Sequence, residues 1–297
     1  MYQAEKVLDE VVDRRAGTSF KQIAGLEGTK QVLQEALVFP SLRPDLFKGI
    51  RAPPRGVLLF GPPGNGKTLL AKAVASEMNC TFFHLSTSLI RQKYVGDSEK
   101  VVRTVFTLAE HMQPSVIFFD EVDGIFLARR ENDASWVRSL QSELLTRMDG
   151  LETNHDGRLL VIAATNRPQE LDEAAIRRFT RRFYIPLPDM EARLEIMNRS
   201  LQKAEVVGQD LEVDLKETNL QQVAEKMEGY TGSDVTVLCK EAAMGPIRDL
   251  FARGSEQALR EEARAITACD FEYAFKRTRP SVSKKFLQVI IPSLRKL

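Results

Sequence analysis

The sequence predicts an α/β domain with a parallel sheet, followed by a smaller domain built only of helices. Three observations support this prediction: five short apolar runs typical of buried strands, helix-period segments between them, and the end of the strand signals after Pro186-Leu187-Pro188. Strands that alternate with helices form parallel sheets covered on both faces. We therefore expect an α/β domain over residues 1–187, beginning with a short helix, and a helical domain over residues 188–297.

The predicted strands share a short run of mostly apolar residues bounded by polar or turn residues. They are Val57–Phe60, Thr81–Leu85, Val116–Phe119, Leu159–Ala164 and Phe183–Ile185. Between them, apolar residues recur at helical spacing, for example at Leu140, Leu144 and Met148. After residue 188, the same spacing predicts helices around residues 190–201, 219–227, 231–252, 256–265 and 270–278.

Composition narrows the class of protein before any motif is considered. The 297 residues include 42 Lys and Arg against 41 Asp and Glu, so the formal net charge is +1, which argues against a nucleic-acid partner. The 3 Cys and 3 His are too widely separated for a zinc site, and such cysteines are typical of a reduced, intracellular protein. No apolar run approaches the ~20 residues that a membrane span needs, and the N-terminus lacks a signal-peptide core.

A phosphate-binding loop follows the first predicted strand. Residues 61–68, GPPGNGKT, match G-x-x-x-x-G-K-[ST] and lead directly into a helical run. In such a loop the backbone N–H groups surround phosphate oxygens, the lysine bridges the β- and γ-phosphates, and the threonine ligates Mg²⁺. The residues expected to bind the nucleotide here are Gly61, Pro62, Pro63, Gly64, Asn65, Gly66, Lys67, Thr68 and Leu69.

Two carboxylates, Asp120 and Glu121, end the third predicted strand. Ligands of open α/β sheets bind at the carboxyl ends of the strands, so both side chains are expected at the phosphate site. Asp120 is then suited to the Mg²⁺ shell together with Thr68, and Glu121 to orient and polarise the attacking water. Asn166 follows the next strand along the chain and could hold the same water from the opposite side.

These motifs, together with residues 164–168 (ATNRP) and 176–179 (IRRF), resemble the AAA ATPases. More narrowly, they are similar to the clade that contains the microtubule-severing enzymes and the endosomal-sorting disassembly ATPases. The resemblance implies an AAA+ P-loop NTPase domain followed by a small all-helical lid, with ATP and Mg²⁺ as cofactors. It also implies a homo-hexameric ring that acts in the cytoplasm on the microtubule cytoskeleton.

The resemblance assigns catalytic roles to six residues. In chain order they are Lys67, Asp120, Glu121, Asn166, Arg177 and Arg178. In the family, the first two serve the nucleotide and Mg²⁺, the third activates water, and the fourth senses the γ-phosphate. The two arginines match the arginine fingers, which reach into the neighbouring subunit's site and stabilise transition-state charge.

The family also binds the adenine between its two domains. The flanking segments match Ile23 and Ala24 ahead of the first strand, and Gly232 and Ser233 in the helical domain. The resemblance therefore implies that ATP hydrolysis changes the angle between the domains, as in other hinge closures around a ligand.

Two further segments resemble loops that face the central pore of the hexamer. The first carries Lys93, Tyr94 and Val95, with the tyrosine gripping a peptide, and the second carries Arg129 and Arg130. Repeated around a ring, these cations would focus positive potential in a narrow channel. The implied substrate is an acidic, unstructured polypeptide such as the C-terminal tail of tubulin, and pulling on it would extract tubulin from the microtubule.

Several alternatives remain open at this point. Katanin-like and fidgetin-like enzymes are hard to exclude, whereas an endosomal-sorting enzyme needs a β-domain inserted in its lid. Only about twenty residues separate Arg248 from Thr267, too few for that insertion. A non-hydrolysing scaffold is disfavoured by the intact Lys67, Asp120 and Asn166. The near-zero net charge disfavours a motor that acts on nucleic acid.

Overall fold

The computed structural model describes residues 11–12, 17–87, 90, 98–126, 135–153, 158–202, 220–252, 263–283 and 285–288. The helix expected near the N-terminus lies largely outside these residues. Within the described part, Val11 is buried and Val12 forms an antiparallel bridge with Phe83.

The described strands are parallel and form one sheet. They are β1 (Gly56–Phe60), β2 (Thr81–Ser86), β3 (Ser115–Asp120), β4 (Leu159–Thr165) and β5 (Arg181–Tyr184). Their order across the sheet is β2-β3-β4-β1-β5, so that β1 lies between β4 and β5. Each predicted strand is confirmed, with bounds that differ from the prediction by no more than two residues.

Helices cover both faces of this sheet, as the parallel pattern requires. They are α1 (Glu27–Leu33), α2 (Phe39–Leu42), α3 (Lys67–Glu77), α4 (Ser98–His111), α5 (Asp123–Phe126), α6 (Ser135–Thr153) and α7 (Glu173–Arg178). Successive strand residues point to opposite faces. Leu58 therefore packs in the core that includes α4 and α6, whereas Val57 and Leu59 pack in the core that includes α1 and α3.

The secondary-structure elements described after β5 are all helices, and they have a core of their own. Its helices are α8 (Met190–Gln202), α9 (Leu220–Lys226), α10 (Gly232–Ala252) and α11 (Ala268–Arg277). Met197, Leu238 and Phe271 lie at the centre of this core. The boundary expected between residues 187 and 188 falls in the connection from β5 to α8, and it stays a prediction. Within the described residues, no helix combines the length and the apolarity that crossing a bilayer requires.

A helix is expected over residues 256–265, and the part of this range that the structure describes is not helical. Residues 263–265 are not helical, and the remainder of the prediction lies outside the described residues. The physical reason lies in the start of α11, where Thr267 and Asp270 form a capping box. Arg264 binds the same carboxylate, so the chain approaches α11 in a non-helical conformation.

Asp270 joins α11 to the segment before it and to α10. Its buried carboxylate accepts hydrogen bonds from Arg264 Nη1 and Nη2 at 2.7 and 2.9 Å and from Thr267 N at 2.9 Å. Gly245 of α10 passes so close that an added Cβ would lie 2.0 Å from Asp270 Oδ1. Burial alone would raise the pKa of Asp270, but the hydrogen bonds from Arg264 and Thr267 outweigh burial and lower it.

Replacing Asp270 with Asn should destabilise the helical domain by about 2–4 kcal/mol at neutral pH, because Arg264 then loses its buried partner. The folded-state pKa of Asp270 lies below its unfolded value, so its contribution is present above the unfolded pKa and is lost as pH falls through the folded pKa. Denaturant unfolding of both proteins at pH 7 and near pH 3 measures this effect. The exposed Glu272, changed to Gln, serves as the control. A difference in stability between the unmodified and Asp270→Asn proteins that did not shrink in acid would contradict the ionic explanation.

Candidate functional site

The carboxyl ends of β1, β3 and β4 meet at one edge of the sheet. β4 pairs with both β1 and β3, and all three strands run in the same direction. The phosphate loop follows β1, Asp120 ends β3, and Asn166 follows β4. The strand pairing therefore brings these predicted site residues to the edge where open α/β sheets bind ligands.

The loop over residues 61–68 turns sharply from β1 into α3. Gly61 has φ of 149°, and an added Cβ there would lie 2.2 Å from the carbonyl oxygen of Ile185. A side chain at this position would collide with backbone, so the close packing of the loop on the segment after β5 depends on glycine.

Lys67 folds back onto this loop. Its buried ammonium group donates hydrogen bonds to the carbonyl oxygens of Gly61 at 3.0 Å and Pro62 at 2.8 Å. Burial lowers the pKa of Lys67 to about 8, although the charges of Asp120 and Asp123 partly oppose that shift. The side chain is therefore mostly cationic at pH 7 and is held at the N-terminus of α3, where an anion is favoured.

Asp120 connects β3 to the phosphate loop. Its Oδ2 accepts a hydrogen bond from Thr68 Oγ1 at 2.9 Å, and its Oδ1 accepts one from the backbone N–H of Glu121 at 3.0 Å. Burial raises the pKa of Asp120, but its contacts with His84 and Thr68 outweigh burial and lower it below its usual value. An ionised carboxylate beside a threonine hydroxyl is the oxygen pair that a hard cation such as Mg²⁺ prefers.

Glu121 is exposed and has a left-handed backbone with φ of 53°. The buried Thr87, just after β2, stabilises this turn by donating to the carbonyl oxygens of Glu121 at 2.8 Å and Asp120 at 3.3 Å. Thr87 was not predicted to belong to the site, because its contact with this turn arises from the pairing of β2 with β3.

Three buried side-chain atoms in the described part of the chain have no hydrogen-bond partner. They are Asn65 Nδ2, His84 Nε2 and Asn166 Oδ1. Asn65 belongs to the phosphate loop, Asn166 follows β4, and His84 faces Asp120. Buried polar atoms are nearly always paired with protein, water or ligand. Their clustering at this edge fits a polar ligand, and the donor set fits a nucleotide with a divalent cation.

The helical domain contacts the phosphate loop directly. The backbone N–H of Gly232 donates to Asn65 Oδ1 at 3.2 Å, and the N–H of Ser233 donates to the carbonyl oxygen of Gly64 at 3.0 Å. Both residues begin α10, so the structure brings this predicted pair to the loop.

Ile23 and Ala24 lie where the first domain meets α8. Ile23 is buried and Ala24 is half-buried, and the next residue, Gly25, donates its backbone N–H to Glu195 Oε2 of α8 at 3.2 Å. The segment expected to flank the adenine therefore lies beside the helical domain.

The two predicted arginine fingers end α7 but differ in their surroundings. The Arg177 side chain is 76% exposed, and its one ion pair in the described part of the chain is a loose contact with Glu173 at 3.7 Å. Arg178 is held by Asp149 of α6 through two hydrogen bonds of 2.8 and 2.9 Å. The Arg178 guanidinium also lowers the pKa of Asp149. Arg177 is thus the finger that a second chain can reach without breaking such a pair.

The predicted pore-loop residues Lys93, Tyr94, Val95, Arg129 and Arg130 lie outside the described residues. Their roles stay predictions.

Comparison with known protein families gives two matches. Residues 57–187 match the ATPase family associated with various cellular activities (AAA), and residues 217–273 match the AAA+ lid domain. The first match lies within the α/β part of the chain and the second within the helical part, in agreement with the predicted fold class.

Among curated proteins, spastin from Bos taurus is 48% identical over 288 residues, which cover 97% of this chain and 46% of that protein. Spastin from Drosophila grimshawi is 50% identical over 282 residues, 95% of this chain and 35% of that protein. The chain therefore spans less than half the length of these relatives.

Among solved structures, the crystal structure of the FIGL-1 AAA domain has a TM-score of 0.88 and 41% identity, covering 100% of this chain and 95% of that one. A FIGL-1 AAA domain in complex with ADP has a TM-score of 0.86 and 42% identity, covering 98% of this chain and 96% of that one. A katanin structure that addresses self-assembly has a TM-score of 0.78 and 36% identity, covering 97% and 94%.

The low pKa of Lys67 gives a testable pH dependence. Its charge is lost as pH rises through about 8, so the affinity for pyrophosphate should fall about tenfold between pH 8 and pH 9.5. Isothermal titration calorimetry measures this affinity. The Lys67→Arg protein keeps its charge throughout and corrects for titration of the ligand. Equal pH slopes for the two proteins would show that Lys67 does not carry the effect.

Proposed function

The chain belongs to the AAA family of ATPases, and we propose that it is an ATP-driven enzyme that severs microtubules. The observation that carries this proposal is its likeness to spastin, at 48–50% identity over almost the whole chain. The likeness to katanin and FIGL-1 folds supports it. The nucleotide site described above supplies the chemistry that such an enzyme needs.

Each residue at the carboxyl edge of the sheet has a separate role in ATP hydrolysis. Lys67 and the N–H groups of the loop bind the phosphates, and Thr68 with Asp120 would hold Mg²⁺. When bound, Mg²⁺ neutralises charge on the phosphate oxygens. Glu121 accepts a proton from the attacking water, and Asn166 orients that water through its unpartnered Oδ1.

Contacts between the loop and α10 couple this chemistry to motion. Gly64 and Asn65 bind Ser233 and Gly232, so a change in the loop during hydrolysis alters the contacts that hold the helical domain. ATP would lie between the domains, with its adenine beside Ile23 and Ala24. A rotation of one domain against the other follows from this arrangement.

Arg177 and Arg178 complete the site of a neighbouring protomer in a homo-hexameric ring. Because Arg177 extends from α7 into solvent, its guanidinium is available to a second copy of the chain. Such fingers stabilise the charge that develops on the transferred phosphate. Hydrolysis would then depend on assembly.

The ring would grip its substrate through Lys93, Tyr94 and Val95 of the first pore loop and Arg129 and Arg130 of the second. These cations favour an acidic polypeptide, and the C-terminal tails of tubulin fit that requirement. Translocation of a tail removes tubulin from the lattice, which places the enzyme in the cytoplasm on the microtubule cytoskeleton.

A shared site predicts complementation between two inactive proteins. Glu121→Gln keeps the fingers but cannot activate water, and Arg177→Ala keeps Glu121 but lacks a finger. Each alone should show strongly reduced ATP turnover. Mixed in equal amounts, they should regain turnover, because about a quarter of the seams in a randomly mixed ring then join an intact Glu121 to an intact Arg177.

Steady-state ATP turnover measures this effect, with assembly followed by mass photometry. Arg158→Ala, an exposed arginine just before β4 at the opposite edge of the sheet, should match the unmodified protein. If the mixed variants assemble but turn over ATP no faster than the two variants measured separately, all catalytic residues of a site lie in one chain.

Imaging of immobilised microtubules with ATP tests the severing activity. Breaks should appear along the lattice, and they should disappear when a protease has removed the tubulin tails. Tyr94→Ala should keep basal ATP turnover but lose severing, whereas Tyr273→Ala, an exposed tyrosine of α11, should keep both. Intact microtubules in the presence of active ATPase would refute the proposal.

A further inference from the structure

His84 has one of the three unpartnered buried atoms, but it is not among the residues that would bind the nucleotide. It lies on β2, and its Nε2 atom is buried without a hydrogen-bond partner although the side chain as a whole is 34% exposed. Nε2 lies 3.8 Å from Asp120 Oδ2, which is longer than a hydrogen bond. The buried nitrogen therefore faces the carboxylate that ends β3.

The pairing of β2 with β3 explains this direction. His84 lies opposite Phe118, and Ser86 lies opposite Asp120, so His84 and Asp120 are diagonal neighbours on one face of the sheet. The imidazole ring packs against Phe118, with ring centroids 5.4 Å apart, and near Phe82 at 6.3 Å. The two aromatic rings limit the positions that the imidazole can take.

The carboxylate of Asp120 accepts hydrogen bonds from two other groups in this structure, neither of them the imidazole. Glu121 N–H donates to Oδ1, and Thr68 Oγ1 donates to Oδ2. Thr68 would also ligate the cation, so its hydroxyl would bind both the cation and Asp120 Oδ2. A second donor at Oδ2 would keep the carboxylate in place while Thr68 serves the cation.

We propose that His84 is a positioning residue of the cation site: when a cation binds, its Nε2–H closes the 3.8 Å separation to Asp120 Oδ2 and holds this oxygen in the orientation that cation binding requires. This inference rests on the cation site of the proposed function. Partners of this kind, outside the direct ligands, typically change metal affinity by about 10- to 100-fold when they are removed.

Two variants distinguish the loss of the hydrogen-bond donor at His84 from the general effect of replacing the imidazole ring. In His84→Gln, the amide nitrogen lies the same number of bonds from Cβ as Nε2 of His84, so it can reach Asp120. In His84→Asn, the amide nitrogen lies one bond closer to the backbone and falls short. Both side chains are neutral and polar, so general effects on folding are matched, and thermal unfolding of each variant verifies this.

Electron paramagnetic resonance of Mn²⁺, titrated into the purified chain with saturating ADP, reports cation binding without catalysis. We expect His84→Asn to raise the Mn²⁺ dissociation constant by about tenfold and His84→Gln to stay within about threefold of the unmodified chain. ADP affinity measured without divalent cation should be the same in all three proteins.

Each outcome bears on a different statement. Equal Mn²⁺ affinity in His84→Asn and the unmodified chain would overturn the role of His84 alone. Equal losses in both variants would also overturn it, because a donor of the right length would not have restored binding. If the unmodified chain bound no Mn²⁺ with ADP, the cation site of the proposed function would fail together with this inference.

Discussion

The hydrogen bond from Thr68 to Asp120 connects the phosphate loop to the third strand, and the rest of the site is arranged around it. β4 lies between β1 and β3, so this contact spans the strand that separates the loop from the carboxylate. Gly61, at the start of the same loop, lets the chain turn closely over the segment after β5. Lys67, one residue before Thr68, is buried against the loop carbonyls, and its charge faces the place where phosphates would bind.

The same loop is also where the two domains meet. Gly64 and Asn65 bind the first residues of α10, and the segment at Gly25 binds α8. The helical domain keeps its own core, and its α11 is stabilised by Asp270 and Arg264 far along the chain from the loop. A domain with an independent core can move as a unit, so small changes in the loop are suited to shift the whole helical domain.

Much of this architecture could be predicted because β1, β3 and β4 are buried on both faces and therefore appear as nearly continuous apolar runs. The phosphate loop and Asp120 could be predicted because their spacing relative to strands carries the chemistry. His84 and Thr87 could not, because their importance arises from the pairing of β2 with β3, which a linear sequence does not display. The pair of Arg178 with Asp149 joins α7 to α6 and was hidden for the same reason.

That last pair has a consequence for the proposed ring. Arg178 already has a counter-ion within its own chain, so in that ring a neighbour's phosphates would have to compete with the Asp149 carboxylate for the same guanidinium. The exchange replaces one anionic partner with another, and its net driving force is the difference between two similar attractions. Among the residues that the structure describes, Arg177 has the looser ion pair with Glu173 at 3.7 Å and no closer counter-ion. In the proposed ring the two adjacent arginines would therefore be unequal: Arg177 would be available at encounter, whereas Arg178 would join only after its intramolecular partner had been displaced.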